Sequence, residues 1–91
     1  MSQVLHNKEG HKFTVACGGT ESVLEYRELN SETLEYYRTY VPEECRRQGL
    51  AQLLAKEALE FAKSTNKKVK PTCWFVDKFM TKNTEYLSLK A

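Results

Sequence analysis

A chain of 91 residues with a formal charge of +2 is one domain's worth of sequence, residues 1–91, long enough to bury a core of its own. A balance so near neutral gives no ground for a nucleic-acid partner, and the one close basic group, Lys67, Lys68 and Lys70, reads as a solvated turn. No apolar run approaches the roughly 18 residues of a membrane span, and the polar start has no signal-peptide core, so neither a membrane nor export is expected.

The first strand expected is a short edge strand over Val4 to Asn7, closed by the turn-like Asn7-Lys8-Glu9-Gly10. From His11 to Cys17 the residues alternate, with Phe13, Val15 and Cys17 on one side and Lys12, Thr14 and Ala16 on the other, as in a half-buried strand. Gly18-Gly19-Thr20 predicts a hairpin turn, and Ser22 to Leu29 returns with Leu24 and Tyr26 inward. After Asn30-Ser31-Glu32, a third long strand spans Thr33 to Val41. Simple alternation puts Leu34, Tyr36, Arg38 and Tyr40 on one face and Glu35, Tyr37, Thr39 and Val41 on the other. Tight turns make an antiparallel meander the economical topology.

From Arg47 the period changes to three and four. Gln48, Gln52, Lys56, Glu60 and Lys63 form a polar stripe opposite Leu50, Leu53, Leu54, Ala58 and Phe61, and the segment is rich in helix formers. Asn66 is placed to cap it in the left-handed conformation. Val69 to Val76 reads as a strand in which Pro71 marks an edge, a bulge or a divergence from its neighbour. A short helix over Phe75 to Lys82 with Phe79 inward and a closing segment Tyr86 to Leu89 complete an α+β sheet-and-helix fold.

The chain is organised around Thr39 to Ala51, where a strand end passes through a basic turn with a glycine into the main helix. The first N–H groups of a helix lack intrahelical acceptors and lie at the positive end of its dipole, so such a start can hold phosphate. Gly49 lets a ligand approach the backbone, small Ala51 does not obstruct it, and Arg46 and Arg47 add charge. An ordinary polar helix start near Glu43 and Glu44 would carry the same hexapeptide.

The run Arg46-x-x-Gly49-x-Ala51 resembles the acyl-CoA signature of the GNAT superfamily of N-acetyltransferases. With Val41-Pro42 before it, the Leu/Ala-rich helix after it, and Lys70 to Phe75 and Lys82-Asn83 beyond, the chain is similar to the minimal single-domain GNAT-like family. The likeness runs from about Phe13 onward. It implies a GNAT-like fold in which the strands Thr33–Val41 and Val69–Val76 are parallel and splay apart, with the cofactor's pantetheine arm in the gap. It implies acetyl-CoA or coenzyme A held by Arg46, Arg47, Gln48, Gly49, Leu50 and Ala51, by the backbone groups of Tyr40 and Val41 at the strand end, and by Lys82 and Asn83. Tyr86 is expected to stack nearby. The extra N-terminal strand-helix-helix portion of full-sized members is missing, so the acceptor pocket is expected to be shallow or built otherwise.

Cys73 matches a cysteine of small family members and is the candidate nucleophile; a buried core cysteine is the plain alternative. Nothing beside it in sequence supplies the base, cation or helix N-terminus that a nucleophilic role calls for. Arg38 stands where many relatives have histidine. It stays protonated and cannot serve as a base, which leaves a thiolate- or oxyanion-stabilising role or a surface ion pair. Trp74 reads as core or pocket wall, and His6 and His11 have no assigned role.

The three cysteines, Cys17, Cys45 and Cys73, are odd in number without Cys-x-x-Cys spacing, so free thiols, no zinc site and no disulfide framework are expected. That favours a reducing compartment, cytosol or nucleus. Two functions compete: an acetyl-CoA-dependent N-acetyltransferase acting on an amine, directly or through Cys73, and a coenzyme A-binding module with little turnover. A monomer is the default.

Overall fold

The computed structural model describes residues 3–91. Five strands, β1 (Val4–Asn7), β2 (Lys12–Cys17), β3 (Thr20–Asn30), β4 (Thr33–Tyr40) and β5 (Lys68–Pro71), form one sheet in sequence order. β1 to β4 are antiparallel neighbours, and β5 joins β4 in parallel with Leu34 opposite Val69 and Tyr36 opposite Pro71. The helix α1 (Leu50–Ser64) makes the crossover between β4 and β5, α2 (Trp74–Lys82) follows, and a 3-10 segment, Thr84–Leu89, closes the chain. This is the expected α+β topology.

The core lies between the sheet and the helices. Phe13, Val15, Leu24, Tyr26, Leu34, Tyr36 and Val69 from the strands meet Leu54, Ala55, Ala58, Leu59 and Ala62 of α1 and Val76 and Met80 of α2 in one buried cluster. Tyr36 crosses it to donate its hydroxyl to the carbonyl of Ala58, 2.5 Å away. Burial raises the Tyr36 phenol far above its ordinary value, so it remains a donor. At the far end of α1, Asn66 adopts φ 57°, and the N–H groups of Asn66 and Lys67 return to the carbonyls of Lys63 and Ala62. That is the expected left-handed C-terminal cap.

Four expectations are corrected. In β4 the simple alternation fails, because Tyr26 faces Tyr36 while Glu25 faces Arg38, leaving Tyr37 without an opposite residue. This extra residue is a β-bulge, and it reverses the sides beyond it. Thr39, opposite the buried Leu24, turns inward, while Arg38 and Tyr40 turn out. The strand expected over Val69 to Val76 stops at Pro71, which has no N–H to continue the ladder. Trp74, Phe75 and Val76 belong instead to the first turn of α2. Tyr86 is buried, with its hydroxyl donating to Glu60 at 2.6 Å and its ring stacked on Phe79.

The fourth correction concerns the cysteines. Cys17 at the end of β2 and Cys45 are joined by a disulfide whose Cα atoms are 6.1 Å apart, within the usual range. The odd count concealed one pair and one free thiol, Cys73. The free-thiol argument for a reducing compartment therefore no longer covers these two residues.

Candidate functional site

β4 outruns β5. The parallel ladder ends at Tyr36 and Pro71, one further bond joins the Cys73 N–H to the Tyr36 carbonyl at 2.9 Å, and β4 continues to Tyr40. Beyond that point the edge of β4 facing β5 has no strand partner, and a cleft opens between it and the start of α2. The splay implied by the resemblance has this local cause: proline ends the ladder and the bulge turns β4.

At Val41-Pro42 the chain leaves β4, makes a single 3-10 turn at Glu43–Cys45, and enters α1 through Arg46 to Gly49. The Arg46 Nε donates to the Val41 carbonyl at 3.0 Å and ties the two ends of this loop together. Arg47 and Gly49 both lie in the left-handed region, at φ 72° and 73°. Gly49 occupies the cap position of α1, and no side chain caps the helix there. The first backbone bond runs from Leu53 N–H to the Gly49 carbonyl at 3.1 Å, so the amides of Leu50, Ala51 and Gln52 have no partner among the described residues. A Cβ built on Gly49 would meet no atom within 4 Å. The helix start is therefore both electrostatically positive and sterically open.

These residues line a cleft of about 520 Å³, bounded by Val41, Cys45, Arg46, Arg47 and Gly49 to Gln52 on one side and by Trp74 and Phe75 on the other. Cys45 is fully buried, and its disulfide fastens the loop just before the arginines to the end of β2. Cys73 sits at the N-cap of α2, with its Sγ 3.5 Å from the Thr39 Oγ1. The inward turn of Thr39 is a product of the bulge, so the same irregularity that opens the cleft brings a hydroxyl to the thiol.

The expected site residues do not all converge. Val41, Arg46, Arg47, Gly49, Leu50 and Ala51 line the cleft, with Gln48 in the same loop. Tyr40 ends β4 with its side chain directed outward and exposed. Lys82 lines a second, adjoining cleft, whereas the Asn83 side chain folds back to donate to the Phe79 carbonyl at 2.9 Å and caps α2. Arg38 pairs with Glu25 at 2.7 Å and lies 5.4 Å from the Tyr40 ring, on the face of β4 opposite Thr39. It does not approach Cys73.

The short helix expected over Phe75 to Lys82 is present and begins one residue earlier, at Trp74, with Cys73 as its N-cap. Val76 and Met80, four apart and both buried, were the available signal that the helical period begins before Phe75. His6 gained a structural setting: its ring stacks on Phe13 with centroids 4.1 Å apart, and its Nε2 lies 2.6 Å from the Tyr26 hydroxyl. Burial first, then the charges of Lys8 and His11, lower its pKa below 6.5. No cluster of three metal-ligating side chains occurs among the described residues.

Residues 12–89 match the sequence family described as GCN5-related N-acetyl-transferase. The chain belongs to that family. Protein NATD1 of Gallus gallus is 34% identical over 83 residues, which span 89% of this chain and 76% of that protein. Protein NATD1 of Homo sapiens is 32% identical, over 89% of this chain and 74% of its own length. Among solved structures, a GCN5-like protein of Staphylococcus aureus determined by NMR superimposes with a TM-score of 0.76 at 21% identity, covering 98% of this chain and 87% of that one. At that identity the likeness concerns the fold, and it extends the GCN5-related architecture over nearly the whole chain.

Proposed function

We propose that this GCN5-related domain binds acetyl-CoA in the cleft between β4 and α2 and transfers the acetyl group to an amine through Cys73. The observation that carries the reading is the uncapped start of α1 at Gly49, open to a cleft with arginines on its rim. Three free amides and the helix dipole suit a diphosphate, and the Arg47 guanidinium can add a forked contact. The unpartnered edge of β4 next to Val41 offers backbone groups to the amides of a pantetheine arm, as an added strand would use them.

Acetyl-CoA would supply an activated acetyl thioester; the chain's own residues do the rest. Cys73 stands at the N-cap of α2, beside the cleft, and in this reading it attacks as the thiolate after passing its proton to solvent. The thiolate attacks the thioester carbonyl carbon, the carbon–sulfur bond to coenzyme A breaks, and the departing thiolate takes a proton from solvent. An unprotonated amine then attacks the acetyl-cysteine carbonyl, the Cys73 carbon–sulfur bond breaks, and the ammonium product loses its proton. The Thr39 hydroxyl, 3.5 Å from the sulfur, can donate to the Cys73 thiolate before the first step and when the second step releases it.

A second reading, a coenzyme A-binding module with little turnover, is favoured by the engagement of Arg38 with Glu25 and by the lack of a general base beside Cys73 among the described residues. Calorimetry and intact-mass spectrometry after incubation with acetyl-CoA separate the possibilities. Binding with an acetyl adduct that disappears in Cys73→Ala supports transfer through the cysteine. Binding with neither an adduct nor an acetylated amine supports the module, and no binding at millimolar acetyl-CoA overturns both.

A further inference from the structure

A separate hollow lies beside the C-terminal half of α1, where that helix packs on β1 and β2. It encloses about 370 Å³ and shares no residue with the cleft at the helix start. β1 is three strands from β4, about 14 Å across the sheet, so this hollow and Cys73 are distinct places. On α1, Glu57, Glu60, Phe61 and Ser64 follow the spacing of one helix face, and His6 and Phe13 meet them from the strands. The rings make its floor. His6 stacks on Phe13 and meets Phe61 edge-on with centroids 4.4 Å apart, and Phe13 and Phe61 are 5.9 Å apart. The His6 ring is uncharged near neutral pH, because burial holds its pKa below 6.5.

The charge of this hollow is negative. Its charged lining residues are Glu57 and Glu60, and neither is in an ion pair among the described residues. Glu60 accepts the Tyr86 hydroxyl through Oε2, which orients the carboxylate and leaves Oε1 without a partner among the described residues. Lys8 shows independently what the rings attract. Its ammonium stands over Phe61, 6.0 Å from the centroid, while forming no ion pair with either glutamate. Aromatic faces and carboxylates both draw an ammonium group, and the apolar stem that carries it can lie along ring surface.

We propose that this hollow binds a primary ammonium group on an alkyl stem, with the nitrogen between Glu57 and Glu60 and the stem against Phe61 and Phe13. A free polyamine and a lysine side chain of a polypeptide present the same chemistry to it. The site does not depend on acetyl-CoA binding.

Amide NMR titrations of the full chain near neutral pH, at fixed ionic strength, test the proposal. The probes are pentylamine, spermidine and Nα-acetyl-lysine methylamide, with pentanol as the uncharged control. The amines are expected to give saturable shifts at His6, Phe13 and Glu57 to Ser64, and pentanol none. Glu57→Gln/Glu60→Gln is expected to weaken binding about tenfold, as the loss of charge-assisted contacts implies. The amide oxygen of Glu60→Gln still accepts the Tyr86 hydroxyl, so the spectrum should otherwise match that of the parent. Glu57→Gln alone changes an exposed side chain with no bond to lose, and is expected to weaken binding about threefold. Tighter binding of spermidine assigns the site to a free polyamine, and tighter binding of the lysine amide assigns it to a polypeptide. Shifts that do not saturate in the tens of millimolar, that pentanol reproduces, or that persist unweakened in both variants would overturn the proposal.

Discussion

Gly49 is where backbone conformation and ligand access meet. Its φ of 73° is one that side chains with a Cβ rarely adopt, yet an added Cβ would meet no protein atom. Gly49→Ala is therefore expected to cost only the left-handed strain, about 1 kcal/mol by chemical denaturation. The methyl would stand at the rim of the cleft where the proposed diphosphate approaches, so acetyl-CoA affinity should fall further than stability does. Equal affinity in the variant would show that the diphosphate does not come to this helix start. His6 predicts a pH dependence. Its folded pKa lies below 6.5, so the unfolded chain takes up the proton first. Stability is full above the unfolded value and declines as pH falls through it toward the lowered folded value. Denaturation curves from pH 7.5 to 5 should show a decline that His6→Gln reduces. Ser22 offers a contrast: its hydroxyl is buried without a partner among the described residues, so Ser22→Ala is expected to leave stability unchanged or raise it by up to about 1 kcal/mol.

At the scale of elements, what was legible in the sequence is what local periodicity specifies. The three-and-four spacing from Leu50 to Phe61 is enough to define α1, because one buried stripe and one polar stripe admit no strand. The glycine turn, the meander and the Asn66 cap are similarly local. The bulge at Tyr37 is only partly local: the doublets Tyr36-Tyr37 and Arg38-Thr39 break the alternation, but the reversal itself is set in the pairing with β3. That one residue is why Arg38, expected near Cys73, faces the opposite way while Thr39 meets the thiol. The expected strand ran on to Val76, overlapping the expected helix, because Trp74, Phe75 and Val76 suit a strand equally well, and the deciding event is the end of the ladder at Pro71. The Cys17–Cys45 pair was illegible for a related reason, since proximity across 28 residues depends on where β2 ends. The bulge carries its own prediction. Because Arg38 is about half exposed and held by Glu25, Arg38→Gln should change stability by less than about 1 kcal/mol and leave acetylation of Cys73 intact. Loss of the adduct would bring Arg38 back into the reaction.

For the molecule as a whole, the disulfide matters more than one cross-link would in a larger protein. A domain of 91 residues buries a modest core, and its net stability is expected to be only several kcal/mol. The bond closes a loop of 28 residues that contains all of β3 and β4, so it removes freedom from the unfolded chain across the centre of the sheet. A loop of that length corresponds to about 3.6 kcal/mol, or roughly 20 °C of melting temperature for a domain of this size. Reduction is therefore expected to lower the melting temperature by that order, and Cys17→Ser/Cys45→Ser to reproduce the effect without reductant. Because Cys45 directly precedes Arg46 and Arg47, the same change frees the loop that presents the helix start to the cleft. Acetyl-CoA affinity, measured well below the reduced melting point, should then fall as well, because part of the binding energy must re-order that loop. A reduced protein that melts as the oxidised one does would show that the sheet and α1 already hold β2 to the cradle. A lower melting temperature with unaltered affinity would show that the bond serves the fold and not the site.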